Sequence, residues 1–249
     1  MPTLAALPAD LVSGLDSLQA DLAAIFGTRL RSLVAYGVRL FPATWTAHPG
    51  RAIPLNTLAL VDACSLDDLQ ACAARATAWR RAGLAMPLLL SEHEFRRSLD
   101  VFPFEYGDIV ARHATVSGPD PFEGVVVGPE DLRRACEAQA KGHLIHLREG
   151  FIETGAQAGD LSNLVAASSG PFATLIAHVA RLRGRDDSSL DALVRGIDDV
   201  PGVRRAAVRD VLGLVNVSRV GNDEGKRLYP DYLASVEALV SFLDTWKSA

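Results

Sequence analysis

Two apolar runs constrain this chain more than any other feature. Ser32-Leu33-Val34-Ala35-Tyr36-Gly37 reads as a short buried strand ending in a glycine turn, and Leu58-Ala59-Leu60-Val61 is apolar without alternation. A continuous apolar run suits a strand covered on both faces. A chain with such strands must place helices on both sides of its sheet. Pro42, Pro49, Gly50 and Pro54 mark the segment between the runs as loop.

The flanking sequence supplies those helices. Leu11, Leu15, Leu18, Leu22 and Ile25 recur at spacings of three and four, which predicts a helix over 8–27 with Gly27 as its stop. Ser65 followed by Asp68 is a capping-box start for a helix that ends at Gly83. Residues 84–90 read as a third strand, and Pro87 places it at an edge or delays its start. Ser91 caps a short helix over 92–98. Residues 101–117 read as extended, 118–121 as a turn, and 125–127 as a last short strand.

The character changes at Gly128-Pro129. Proline at a first helical position, followed by Glu130 and Asp131, starts a helix whose stripe runs from Leu132 through Cys136, Ala140, Leu144 and Leu147 to Phe151. Further helices are predicted at about 158–168, 171–183, 188–198, 201–217 and 228–247, with Gly170-Pro171 as one of the breaks. The expected fold class is therefore α+β. A small mixed sheet covered by helices occupies residues 1–128, and an all-helical bundle occupies 129–249.

With 249 residues and 49% hydrophobic side chains, the chain can bury a substantial core. A net charge of −5 gives no general attraction for nucleic acid or an anionic membrane. No apolar run approaches the roughly 20 residues of a membrane span. Asp10, Asp16 and Asp21 rule out a signal peptide in the first 27 residues. Cys64, Cys72 and Cys136 lack metal spacing and read as reduced thiols of a cytoplasmic protein.

The order of helix, strand ending in glycine, second strand, helix, third strand and helical bundle resembles the nucleotidyltransferase superfamily related to DNA polymerase β. It is most similar to bacterial members with a helical C-terminal domain, such as the aminoglycoside nucleotidyltransferases. The resemblance covers most of the chain in layout and little of it in motif. Tyr36-Gly37 stands where the family's Gly-Ser turn begins, and Val38 replaces the serine. Leu55-Asn56-Thr57-Leu58-Ala59-Leu60-Val61 stands where the family's Asp-x-Asp strand lies, and residues 102–109 are a site for its third carboxylate.

Nucleotidyl transfer of this kind uses two divalent cations over a triphosphate. Hard cations need several oxygen ligands, chiefly carboxylates. Asn56 and Leu58 offer no carboxylate, and neither do Thr57 and Ala59 in the shifted register. The resemblance therefore implies a catalytically inactive module that binds a nucleotide or a protein partner, with no metal or other cofactor. Tyr36, Gly37 and Arg39 would floor its site in a cleft between the two parts, with Glu105 and Asp108 nearby. The alternative is an active transferase that moves NMP to a small molecule or protein with Mg²⁺, using displaced carboxylates drawn from Asp62, Glu105 and Asp108.

Other clusters have plainer readings. His143, His146 and Glu149 recur at three and could face a metal, but no HExxH pattern exists, and a polar helix flank accounts for them. Asp67-Asp68 and Asp186-Asp187 fit helix starts. Arg80-Arg81, Arg96-Arg97, Arg133-Arg134 and Arg204-Arg205 read as solvated faces. Two such doublets meeting across the cleft would hold a phosphate or an acidic partner.

Overall fold

In the computed structural model, which describes residue 4 and residues 7–37, 39–40, 53–185, 187–217 and 220–247, the two apolar runs pair antiparallel as Leu30–Tyr36 (β1) and Asn56–Val61 (β2). Tyr36 lies opposite Asn56, and Leu30 opposite Val61. Leu88–Leu90 (β3) adds parallel to β2, and His113–Ser117 (β4) adds antiparallel to β1. The strand order is β3-β2-β1-β4, a small mixed sheet. β3 begins just after Pro87 and lies at the edge, where a missing N–H costs no ladder bond.

Both faces of the sheet are covered. Leu33, Ala35, Leu55, Ala59 and Val61 pack with the inner stripe of Ala9–Phe26 (α1) and with Cys72 and Trp79 of Leu66–Arg81 (α2). Val34, Leu58 and Leu60 point the other way. They pack with Phe95 of Glu92–Arg97 (α3), Tyr106 and Ile109 of Pro103–Ala111 (α4), and Phe122 and Val125 beyond β4. The period of two along a strand makes this sorting obligatory.

Local chemistry fixes the helix ends. The Asp68 backbone N–H donates to Ser65 Oγ, and the Ser65 N–H donates back to the Asp68 carboxylate. Arg29 adds two hydrogen bonds to the same carboxylate, at 2.7 and 2.8 Å. Arg29 and the Ser65 cap together hold the Asp68 carboxyl well below the usual range. The Trp79 indole donates to Asp21 at 2.9 Å and ties α2 to α1.

The remaining described residues form a second compact unit that begins at Gly128. Pro129–Glu153 (α5), Ala158–Leu182 (α6) and Glu224–Thr245 (α9) pack on one another, with Leu190–Ile197 (α7) and Arg205–Leu212 (α8) against α6. Gly225, near the start of α9, approaches the α6 backbone so closely that a Cβ would overlap the Ser162 nitrogen. A buried polar chain also joins these helices. His143 Nε2 is 2.6 Å from the Tyr232 hydroxyl, which donates to Ser168 Oγ at 3.2 Å, and Ser168 donates to the Val165 carbonyl.

Four expectations need correction. Residues 103–111 are helical, not extended. Pro103 sits at the first helical position, and a helix aims Tyr106 and Ile109 together at the sheet. Residues 125–127 form no strand, although Val125 is buried. Gly170-Pro171 does not break α6, which runs on for 25 residues with Ser169, Phe172 and Ala173 all buried. Packing of that segment outweighs the lost N–H. In the 201–217 stretch the α-helix is confined to Arg205–Leu212, while α9 starts ahead of 228 and runs through Pro230.

Among the described residues, no helix is long and apolar enough to cross a membrane.

Candidate functional site

The turn that leaves β1 needs its glycine. Gly37 has φ of +88°, and a Cβ there would lie 3.0 Å from Asn56 Nδ2. Val38, which the resemblance sets against a serine, lies outside the described residues.

Strand pairing lays a polar row across this end of the sheet. Asn56 and His113 lie directly opposite Tyr36, one on each neighbouring strand. Directly opposed residues project from the same face, so Asn56, Tyr36 and His113 share the α3/α4 side. Tyr36 is half-buried, and burial, with Tyr106 nearby, pushes its phenol up. His113 is held on both ring nitrogens. Nδ1 lies 3.0 Å from the Ile109 carbonyl oxygen, and Nε2 lies 3.1 Å from Asp120 Oδ1. Asp120 also accepts from the Phe122 N–H, and the Phe122 ring meets the imidazole edge-on. Sequence reasoning missed this His113–Asp120 pair. A usable signal was an acid placed seven residues after a histidine, across the Gly118-Pro119 turn.

The β2 positions that the resemblance sets against acidic residues carry none. Leu58 shares the face of Tyr36 but is 0% exposed, inside the cluster with Val34, Phe95, Tyr106 and Ile109. Asn56 sits at the rim and is half-buried. The shifted register fares no better. Thr57 and Ala59 turn toward α1 and α2, and Thr57 is 1% exposed with no hydrogen-bond partner for Oγ1 among the described residues. Two divalent cations do not fit this donor set. Asn56 brings one neutral oxygen, and Leu58 brings none.

The displaced carboxylates are dispersed. Asp62 follows the far end of β2, roughly 20 Å along the strand from Asn56 at about 3.3 Å per residue. There it takes two hydrogen bonds from Arg31. Glu105 is exposed on α4, and Asp108, one turn on, faces Arg112 at 3.8 Å. Tyr36 reaches α4 through Tyr106. Arg39 borders a cavity whose walls come from α1, the end of α2 and the approach to β3.

The α5 histidines are not brought together. His143 is engaged with Tyr232, whereas His146 is 82% exposed and 3.5 Å from Glu149. Among the described residues, no three His, Cys, Asp or Glu side chains are grouped to hold a metal ion.

Among solved structures, the chain matches spectinomycin adenyltransferase AAD(9) from Enterococcus faecialis, crystallised with ATP and spectinomycin. The TM-score is 0.51 over 94% of this chain and 99% of that one. This is a nucleotidyltransferase fold. At 10% identity the likeness extends to the fold and no further. No protein-family model matches the sequence, and no curated protein matches it.

Proposed function

We propose that this chain is a nucleotidyltransferase-fold protein that binds a ligand or partner and does not perform two-metal nucleotidyl transfer. The observation that carries the reading is Leu58. The strand position where the family places an acid is filled by a leucine in the apolar core. A carboxylate there would be buried and unable to reach a shared cation. The polar row Asn56, Tyr36 and His113 is the surface this unit offers at the β1 turn. ATP is the first ligand to try, because the fold neighbour was crystallised with it. The free Cys64, Cys72 and Cys136 support a reducing, cytoplasmic setting for this binding.

Calorimetry with a nucleotide panel, with and without Mg²⁺, tests the proposal together with an assay for labelled NMP transfer to small molecules and proteins. The expected outcome is no transfer and no Mg²⁺-dependent gain in affinity. Mg²⁺-dependent nucleotide binding that Glu105→Gln or Asp108→Asn removes would establish the live enzyme instead.

A further inference from the structure

The cavity beside Arg39 has a volume of about 570 Å³. That is within the range of pockets that hold small organic ligands, about 300–1,000 Å³. Arg39, Arg80 and Arg81 all line it, and Asp10 brings the single carboxylate among the described lining residues. Leu84 and Met86 supply apolar wall.

None of these three guanidinium groups makes an ion pair or hydrogen bond among the described residues, which is also true of Arg97, Arg195 and Arg204, whereas many other arginines are neutralised. Arg29 pairs with Asp68, Arg31 with Asp62, Arg133 with Glu130 and Glu137, and Arg227 with Asp210. The chain has 30 acidic residues against 25 basic ones, so acids are not scarce. Three like charges brought around one concavity repel one another until an anion arrives.

Two of the three have a competing explanation. Arg80 and Arg81 close the last turn of α2, where cations offset the helix dipole. That does not account for Arg39, which follows the β1 turn in the chain and lines the same cavity. The backbone at the exit of α2 is already committed. The N–H groups of Ala82, Gly83, Leu84 and Ala85 donate to Ala78, Arg80, Trp79 and Leu55 carbonyls respectively. The donors on that wall are the guanidinium groups, which suit phosphate oxygens through paired N–H donors.

We infer that this arginine-lined cavity binds an organic phosphate, with the phosphate groups on Arg39, Arg80 and Arg81 and the apolar body against Leu84 and Met86. The inference goes beyond the function proposed for the β1 turn and does not depend on it.

Calorimetry on the full chain, in EDTA, would use inorganic pyrophosphate, ATP and adenosine as probes. ATP should bind more tightly than pyrophosphate, adenosine should not bind measurably, and added salt should weaken the ATP complex. Arg80→Ala/Arg81→Ala and Arg39→Ala should each cost about tenfold or more in ATP affinity, the scale of a charged hydrogen bond. Arg97→Ala, which removes a charge on α3, should leave affinity unchanged. Arg80→Lys/Arg81→Lys keeps the charge and should retain part of the binding. Circular dichroism confirms that each variant is folded. The inference is overturned if neither phosphate probe binds, if pyrophosphate matches ATP, or if the arginine variants bind as the parent does. NMP transfer would defeat the reading of the β1 turn and leave this one intact.

Discussion

Replacing Leu58 by aspartate tests the reading of β2 most severely. Leu58 is 0% exposed and packs among Val34, Leu60, Phe95, Tyr106 and Ile109. Deleting a side chain so placed costs about 2–5 kcal/mol. The carboxyl adds a second cost, because in an apolar cluster it stays protonated sooner than bury its charge. An ordinary Asp pKa of about 3.9 lies roughly three pH units below neutrality, so holding the proton there costs about 4 kcal/mol. Together these reach roughly 6–9 kcal/mol, against about 5–15 kcal/mol for the whole stability of a typical domain. Leu58→Asp should be largely unfolded at pH 7. The sign with pH follows from the raised folded-state pKa. Above about pH 3.9 the unfolded chain releases a proton that the folded chain keeps, so the penalty grows with pH. Stability should therefore recover by about 1.4 kcal/mol for each unit from pH 7 towards pH 4. Urea titrations followed by circular dichroism at pH 5 and pH 7 measure this, with Leu58→Asn as the control that lacks the slope. Asn56→Asp, at the rim, should change stability by less than about 1 kcal/mol. A Leu58→Asp protein within about 1 kcal/mol of the parent at pH 7 would refute the core assignment. So would one that gains Mg²⁺ binding.

Three further perturbations probe the rest of the structure. Burial holds His143 down at about 4 from an ordinary 6.5, so the unfolded chain takes up a proton first as pH falls. Its contribution is intact above pH 6.5 and lost between pH 6.5 and 4, at most about 3 kcal/mol; denaturant midpoints across that window should fall, and His143→Gln should flatten them. Thr57→Val removes a buried hydroxyl that has no partner among the described residues, and should leave the melting temperature unchanged or raise stability by about 1 kcal/mol. Gly225→Ala drives a Cβ into the Ser162 backbone and should destabilise the helical unit by about 2 kcal/mol or more, read as a lower urea midpoint.

What the sequence conveyed depended on how local the deciding interaction was. β1, β2, α1 and the cap at Ser65 are written in patterns of a few residues, and the structure has them. α4 was hidden because Val101, Phe102, Phe104 and Tyr106 favour strands by local preference. Their helix is chosen by what Tyr106 and Ile109 reach on the sheet. Pro171 misled for the same reason, since the packing around Phe172 is not visible near it in the chain. At the candidate site, Tyr36 and Gly37 were legible as a turn. His113 opposite Tyr36 is a matter of strand register, which is set by pairing and not by either segment alone. The Arg80-Arg81 doublet was visible, but its meeting with Arg39 depends on where the chain returns after β1.

On the proposed function, the two faces of β2 explain why a strand without acids is a consistent state and not a damaged one. Two carboxylates two residues apart on one strand face repel each other and hold up only when cations neutralise them, so an active metal site is a place where stability is given up for chemistry. In this chain the same face carries Leu58 and Leu60 in a closed apolar cluster with Phe95 and Tyr106, whose rings meet edge-on at 5.0 Å. Burying a leucine there contributes about 2–3 kcal/mol that an acid would forfeit. Putting back one carboxylate therefore loses packing before any cation can be gained. Putting back both also requires opening the α3/α4 cover. The interior of this unit is organised around the leucine, so the proposed binding belongs at the rim and in the arginine-lined cavity.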